Sequence, residues 1–339
     1  MKEKGFLSGL TNRTKIILAV VVGVIILAVI GTLIAILANR NSIKSVAQTN
    51  ILGELDVLCA PTDIIPDDDG GFLITDVYGK KVWRIKNGKS EVFAGADSNS
   101  DRYGEPEGGY NDSSLKDSLF KEPWAISPFL GGIAVSDTEN GTVRLIEKEK
   151  GTSTVNGISD SLEMGKNGVT FEKPTGLATD ENGDLYVSDT GRGAIRKITT
   201  SGEVQTVIEG LNRPTGLCYS SGILYIAETG ANRVISVKDG EISLVVGSGE
   251  CGDADGSIEE ASFSSPQGVA VDKDGTVYIA DTINACVRVV KDGKVDTILR
   301  PTDEILETGP VSPTGMCICD GYLYVCDNFS REIYIVPIK

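Results

Sequence analysis

Six acidic residues recur along this chain in one setting, at the end of an apolar run and ahead of a turn: Asp76, Asp137, Asp189, Glu228, Asp281 and Asp327. Carboxylates gathered about one point would hold a cation or share protons in acid–base work. Their neighbours argue for something plainer. Thr follows Asp137, Asp189, Glu228 and Asp281, and an acid beside Thr where a strand ends usually hydrogen-bonds the backbone of the turn. The six are therefore read as structural repeat anchors. Two other acidic runs offer oxygen ligands. Asp67-Asp68-Asp69-Gly70 reads as a solvated hairpin, and Asp253-x-Asp255-Gly256 lacks the third acid and distal Glu of an EF-hand loop. No metal site is assigned and no cofactor is expected; Ca²⁺ is the one ion these acids would take. His is absent, which removes Ser-His and Cys-His catalysis, His-ligated zinc and imidazole pH switching. No catalytic constellation is left to name, and the chain reads as more a binder than an enzyme.

The chain has 339 residues, 40% hydrophobic and 24% charged, with 40 Gly against 12 Pro and a net charge of -16. That is ample for an ordered core of one large or two ordinary domains. Six basic residues up to Lys44 face the single acid Glu3, so the remainder is more acidic still. An acidic body excludes a nucleic-acid partner, because phosphate binding needs clustered Lys and Arg.

The anchors mark a repeat. Pro174-Thr175-Gly176-Leu177-Ala178-Thr179-Asp180 is followed by Asp184-Leu185-Tyr186-Val187-Ser188-Asp189-Thr190, and the pattern returns from Pro214, Pro266 and Pro313, with weaker copies from Pro61 and Pro123. Each copy holds four short period-two runs, in the third copy 176–179, 184–188, 194–198 and 203–208. Glu181-Asn182-Gly183 and Thr200-Ser201-Gly202 read as hairpin turns between them. Four antiparallel strands in every ~40–50 residues describe a propeller blade. The last copy has only three strands, and Leu55–Ala60 stands where a fourth would precede the first Pro. The expectation is an all-β, six-bladed β-propeller over residues 53–339, its N-terminal strand closing the last blade.

These residues resemble the NHL-repeat family of six-bladed β-propellers. The Pro-x-Gly-φ-φ-φ-Asp and Gly-x-φ-Tyr-φ-Ala-Asp-Thr wording is fullest in the third and fifth copies. An insert also resembles that family: Gly109 to Phe120, ahead of Pro123, aligns with Gly252 to Phe263, ahead of Pro266. Departures are Glu228 for Asp, Asn328 for Thr and a degraded Asn-x-Arg; they weaken any transfer of binding residues. The Phe of the repeated Phe-x-x-Pro (Phe120, Phe171, Phe263) reads as packing beneath the inserts. Members that bind RNA use a basic face, unlike this acidic body. Similar propeller lyases hold zinc or catalyse through His, so they do not fit. A propeller hydrolase of the lactonase type, working through a channel-bound Ca²⁺, is the alternative to a binding or scaffold module, and a third reading makes the propeller an assembly scaffold within a larger envelope complex.

Ahead of the repeats, Ile16 to Ala38 runs 23 residues without a charge. At about 1.5 Å per residue a helix of that length crosses the ~30 Å hydrocarbon core. It exceeds a signal-peptide h-region, and Ser45-Val46-Ala47 lies too far downstream for the cleavage site. Lys2, Lys4, Arg13 and Lys15 precede the run, so the positive-inside rule leaves residues 1–15 in the cytoplasm. A single-pass membrane helix at 16–38, a linker at 39–52 and an extracytoplasmic propeller follow, in a bacterial cell envelope. Ala19, Gly23, Gly31 and Ala35 share a helix face and would serve a weak homodimer seam, a stripe that apolar helices also reach by chance.

Repeat topology puts the loops that enter each first strand on the same rim as those joining second to third strands. Long inserts fall only there, at 96–122, 156–173, 247–265 and 300–312, and loops of that length are commonly functional. Tyr78, Tyr103, Tyr110, Trp124, Arg192, Asn232, Asn284, Phe329 and Arg331 are placed on that face as the candidate ligand-binding residues, for a protein, peptide or glycan. The opposite rim has short turns such as Asp239-Gly240 and Asp274-Gly275. Seven Cys (59, 218, 251, 286, 317, 319 and 326) mostly replace Ala or Val of other copies and read as small buried hydrophobes. Cys59, Cys317, Cys319 and Cys326 belong to the closing blade, where a disulfide would lock the ring.

Overall fold

The computed structural model describes residues 57–102, 104, 106–155, 158–159, 170–301 and 309–338. The expected membrane helix, its dimer seam, the linker, Tyr103 and much of two inserts lie outside them. Among the described residues no helix is long and apolar enough to cross a membrane.

The repeats fold as antiparallel sheets arranged as six blades. Blade 1 holds β1 (Pro61–Pro66), β2 (Phe72–Asp76), β3 (Lys81–Lys86) and β4 (Lys89–Ala94); blade 2 holds β5 (Pro123–Phe129), β6 (Gly132–Asp137), β7 (Thr142–Glu147) and β8 (Gly151–Thr154). Blade 3 holds β10 (Pro174–Thr179), β11 (Leu185–Asp189), β12 (Ala194–Ile198) and β13 (Glu203–Ile208), with β9 (Ile158–Ser159) added in parallel at its outer edge. Blade 4 runs β14 (Pro214–Ser220), β15 (Ile223–Glu228), β16 (Arg233–Lys238) and β17 (Glu241–Val246). In blade 5, β18 (Gly256–Ser257) is an outer addition to β19 (Gly268–Val271), β20 (Val277–Asp281), β21 (Cys286–Lys291) and β22 (Lys294–Leu299). Blade 6 has β23 (Pro313–Cys319), β24 (Tyr322–Asp327) and β25 (Glu332–Pro337). The two outer additions come from the inserts, which a count of period-two runs does not see because each is a single pair of residues.

Turn chemistry places the hairpins. Asn87-Gly88 and Asp239-Gly240 both have positive φ at two successive residues (52° and 72°; 51° and 81°), the geometry that joins strands of right-handed twist through two residues. First strands crowd the axis: a Cβ at Gly176 would lie 2.0 Å from the Thr215 carbonyl oxygen of the next blade.

The core divides into clusters between neighbouring blades, and one of them closes the ring. There Leu58, Ile64, Phe72, Ile74 and Ile85 pack on Tyr324, Cys326, Ile333 and Ile335. Of the expected closing strand, residues 57–60 are described and they are not strand. The Cys59 and Ala60 N–H groups donate to the Asp76 carboxylate, and the Ala60 carbonyl accepts from Val77 N–H. Backbone used that way cannot also form a ladder; the segment seals the seam by burying Leu58 instead.

Candidate functional site

Each anchor carboxylate ends its blade's second strand and is buried. It accepts hydrogen bonds from N–H groups just ahead of the first strand of its own blade. Lys121 and Glu122 donate to Asp137 (2.9 and 3.0 Å), Glu172 to Asp189 (2.6 Å), Asn212 to Glu228 (2.8 Å), Ser264 to Asp281 (2.7 Å), and Val311 and Ser312 to Asp327 (2.6 and 2.8 Å). The Thr that follows looks the other way. Its Oγ1 donates to the carbonyl of the Pro opening the next blade, from Thr138, Thr190, Thr229 and Thr282 at 2.6 to 2.8 Å. The acid fixes the entry of its own blade and the Thr latches the next one. Burial pushes the Asp189 and Asp281 carboxyls up, against the pull of Arg192 and Arg288.

Seven residues after the anchor, blades 2 and 5 carry a fully buried Arg that the sequence reading passed over. Arg144 donates to Asp137 (2.9 Å), to Asp112 (2.5 Å) and to the Leu119 and Asn111 carbonyls. Arg288 repeats this with Asp281 (2.9 Å), Asp255 (2.5 Å) and the Ser262 and Ala254 carbonyls. Their guanidinium groups lie 5.3 and 5.0 Å from the ring centres of Phe120 and Phe263, both buried as the Phe-x-x-Pro reading expects. Both inserts are thus pinned to the blade by one planar fork reading two carboxylates and two carbonyls. The paired spacing, an Asp eight residues before the Phe and an Arg seven after the anchor, was visible in the aligned inserts. Asp255, one of the two candidate calcium ligands of its run, is occupied by Arg288. In the other acidic run Asp67 and Asp69 pair with Arg84, and Lys148 with Asp69. Among the described residues no three His, Cys, Asp or Glu side chains converge as metal ligands.

On the axis the first strands leave a cavity of about 40 Å³, lined by Asp63, Trp124, Gln267 and the crowded glycines. That holds a few waters and is far below the ~300–1,000 Å³ of a small-molecule site. Asp63 stands where four other blades have Gly. It accepts from Ile64 N–H (3.0 Å) and from Ile126 N–H of blade 2 (3.1 Å), and burial raises its carboxyl to about 7. The break of Pro-Thr-Gly into Pro61-Thr62-Asp63 was the available signal.

The nine face residues divide. Tyr78 and Phe329 are 59% and 73% exposed on the long-loop rim, and Arg331 is exposed beside them. Tyr110 is half-exposed, its ring 4.7 Å from the Arg144 guanidinium and its hydroxyl 2.6 Å from Thr154 Oγ1. Arg192, Asn232 and Asn284 reach this rim but spend their polar atoms holding it together. Arg192 donates to Asp189 and the Thr170 carbonyl, Asn232 Oδ1 accepts from Ser265 N–H, and Asn284 donates to Asp281 and the Gly252 carbonyl. Trp124 lies within β5, where it lines the axial cavity and packs against the core cluster between blades 2 and 3, so it is not part of the entry loop. Cys326 and Cys286 are buried and Cys251 is exposed, with no disulfide among the described residues. The closing-blade lock is therefore not formed: Cys326, Cys317 and Cys319 pack in the seam between blades 6 and 1 as hydrophobes.

Six blades, acid-anchored entries and Thr latches define a β-propeller of tandem repeats. Over part of its length the chain is similar to the NHL-repeat propellers. Residues 171–198 match the NHL repeat and residues 223–330 match the teneurin NHL domain. Teneurin-3 of Danio rerio is 32% identical over 193 residues, covering 46% of this chain and 7% of that protein. The chain thus spans less than a tenth of the length of the curated relatives it matches. In fold it is similar to an auxiliary nutrient binding protein from Bacteroides ovatus (TM-score 0.62, 14% identity, 86% of this chain and 76% of that one). It is also similar to a streptogramin B lyase (TM-score 0.54, 12% identity, 85% and 86%).

Proposed function

We propose that this propeller is a non-enzymatic recognition module, tethered to a bacterial cell membrane by residues 16–38, with the propeller outside and the N-terminus in the cytoplasm. It presents its long-loop rim to a protein, peptide or glycan partner. The observation that carries the reading is the pair of inserts clamped by Arg144 and Arg288. Rigid loops lose little freedom on binding, and Tyr110 rides on one of them. The axial cavity, with room for a few waters and one carboxylate, favours this over the lactonase-type alternative. The test is affinity capture from the source membranes with the full chain, alone and carrying Tyr110→Ser with Arg331→Ser. One stoichiometric partner, lost in the double variant and kept when Leu130→Ser is placed on the opposite rim, is the expected result. Capture that all three proteins share equally refutes the assignment of the face.

A further inference from the structure

Arg196 of β12 stands seven residues after its anchor Asp189, as Arg144 and Arg288 stand after Asp137 and Asp281. It is 4% exposed, yet among the described residues its Nε and Nη2 are buried without a hydrogen-bond partner. With the same two nitrogens the sister residues hold an insert. Nε and Nη2 of Arg144 donate to Asp112 at 3.1 and 2.5 Å, and Nη2 also to the Asn111 carbonyl at 3.0 Å. Those of Arg288 donate to Asp255 at 3.0 and 2.5 Å, and Nη2 also to the Ala254 carbonyl at 2.8 Å. The rest of the fork differs too. Nη1 of Arg144 and of Arg288 takes the anchor carboxylate, whereas in blade 3 that place goes to Arg192 Nη1, 2.8 Å from Asp189. The charged groups acting on Arg196 are Asp189, Arg192 and the exposed Glu209, and neither acid reaches Nε or Nη2. Each sister clamp sets one Arg against two carboxylates; here two Arg face the anchor and Glu209. A guanidinium stays charged, and a buried charge without a partner is costly.

The outer edge of blade 3 is also built differently. Opposite the Arg, on the fourth strand, each of the three blades has a Thr: Thr154, Thr206 and Thr297. Two residues before that Thr, blades 2 and 5 receive the residue that follows the clamped Asp. The Ser113 carbonyl accepts from Thr152 N–H at 2.7 Å, and Gly256 pairs with Val295 in the antiparallel sense. In blade 3 the equivalent Val204 pairs with Ser159 of β9, in the parallel sense. The place of a clamped Asp lies at the surface, since Asp112 and Asp255 are 34% and 41% exposed, and Thr206 is exposed as well. We infer that Arg196 and Thr206 seat an Asp of a peptide partner. Its carboxylate lies on Nε and Nη2, with the carbonyl of the preceding residue on Nη2. A peptide is the ligand because a carbonyl and a carboxylate from adjacent residues are what this fork takes twice in this chain, and such charge-assisted forks are geometrically selective. Thr297 Oγ1, 3.2 Å from Asp255, sets the pattern for Thr206. The inference gives the recognition module proposed above a ligand chemistry and rests on that reading.

The test uses the full chain carrying isotope-labelled arginine, with the Nε–H signals followed by magnetic resonance; Arg196→Lys assigns the signal at 196 by removing it. The probe is acetyl-Ala-Asp-Gly-amide, the sequence of residues 254–256 on Arg288. The expected result is a signal at 196 that shifts and saturates with this peptide. Binding should be about tenfold or more weaker for acetyl-Ala-Asn-Gly-amide, which lacks the charge, and several-fold weaker in Thr206→Val at unchanged melting. Glu163 precedes Phe171 by eight residues, as Asp112 and Asp255 precede Phe120 and Phe263; it lies outside the described residues, and Glu163→Gln is the competing arm. A signal that answers the peptide only in Glu163→Gln puts the chain's own acid on the fork and overturns the ligand seat. A signal that moves in neither protein, or equally for the Asp and Asn peptides, overturns it as well. Sodium acetate acting as strongly as the peptide overturns the peptide in favour of a small carboxylic acid. Tyr110→Ser with Arg331→Ser leaves blade 3 untouched, so a failure of the rim in the capture experiment and a failure of the seat at 196 are read separately.

Discussion

Asp63 makes the sharpest quantitative expectation. Its carboxyl stands on the axis where four other blades have Gly, touches a cavity of about 40 Å³ and accepts two backbone N–H groups, with no cation paired to it among the described residues. Burial raises it from 3.8 to about 7, against the lowering effect of those N–H groups. A carboxyl whose folded pKa exceeds its unfolded value keeps its proton in the folded protein while the unfolded chain releases it. Its contribution to stability therefore falls as pH rises from about 4 to about 7 and is level above that. At about 1.4 kcal/mol per pH unit the whole displacement caps the loss at roughly 4 kcal/mol. The cavity admits water, so a realistic figure is about 2–3 kcal/mol. Asp63→Asn abolishes the titration and weakens one acceptor, a cost of about 1 kcal/mol. Chemical denaturation at pH 5 and pH 8 is the assay. The wild type should lose about 1–2 kcal/mol more than Asp63→Asn between the two, because pH 5 already lies above the unfolded value, which near ~2 °C per kcal/mol for a domain this large is a difference of roughly 2–4 °C in melting. Because the other buried acids are common to both proteins, they cancel in the comparison. Parallel profiles from pH 5 to pH 8 would refute the reasoning.

Removing an insert clamp should cost far more than a surface change. Arg288→Met leaves Asp281 and Asp255 without their cation, and a loss of about 3–5 kcal/mol is expected by denaturant titration; Arg288→Lys should not restore it, since an ammonium lacks the fork. Gly176→Ala puts a methyl group 2.0 Å from the Thr215 carbonyl and should destabilise by at least ~1–3 kcal/mol, read as a drop in melting temperature. Excess Ca²⁺ and then chelator should leave the melting curve of the full chain in place; a shift of several degrees would point to a bound metal and revive the hydrolase reading.

Much of the fold could be read along the chain because its determinants are local. In the third copy the runs 194–198 and 203–208 coincide with β12 and β13, since strand period and turn chemistry are properties of adjacent residues. The site was less legible. Trp124 was placed on the face by residue type, yet it lies within β5, against the axial cavity and the core between blades 2 and 3. Asn284 looked available for a ligand, but the Gly252 carbonyl and Asp281 claim its amide. Arg144 and Arg288 escaped notice because their partners lie about 30 residues upstream, and nothing in one blade's sequence says that a neighbouring insert will fold over it.

The amino-acid order by itself determined the repeat, the number of blades and the rim on which the inserts fall, because each follows from short-range periodicity and from counting. Only the closed ring decided which of those residues are occupied and which are offered. Burial of the anchors turned six carboxylates into turn braces, and crowding at the axis left the Asp63 carboxyl with no cation paired to it among the described residues. Ring closure set Phe329 of the last copy between Ile283 and Tyr78. Residues 78 and 329 stand at opposite ends of the repeat array, and they belong to neighbouring blades because the seam between blades 6 and 1 buries Leu58, Ile74 and Ile335 together.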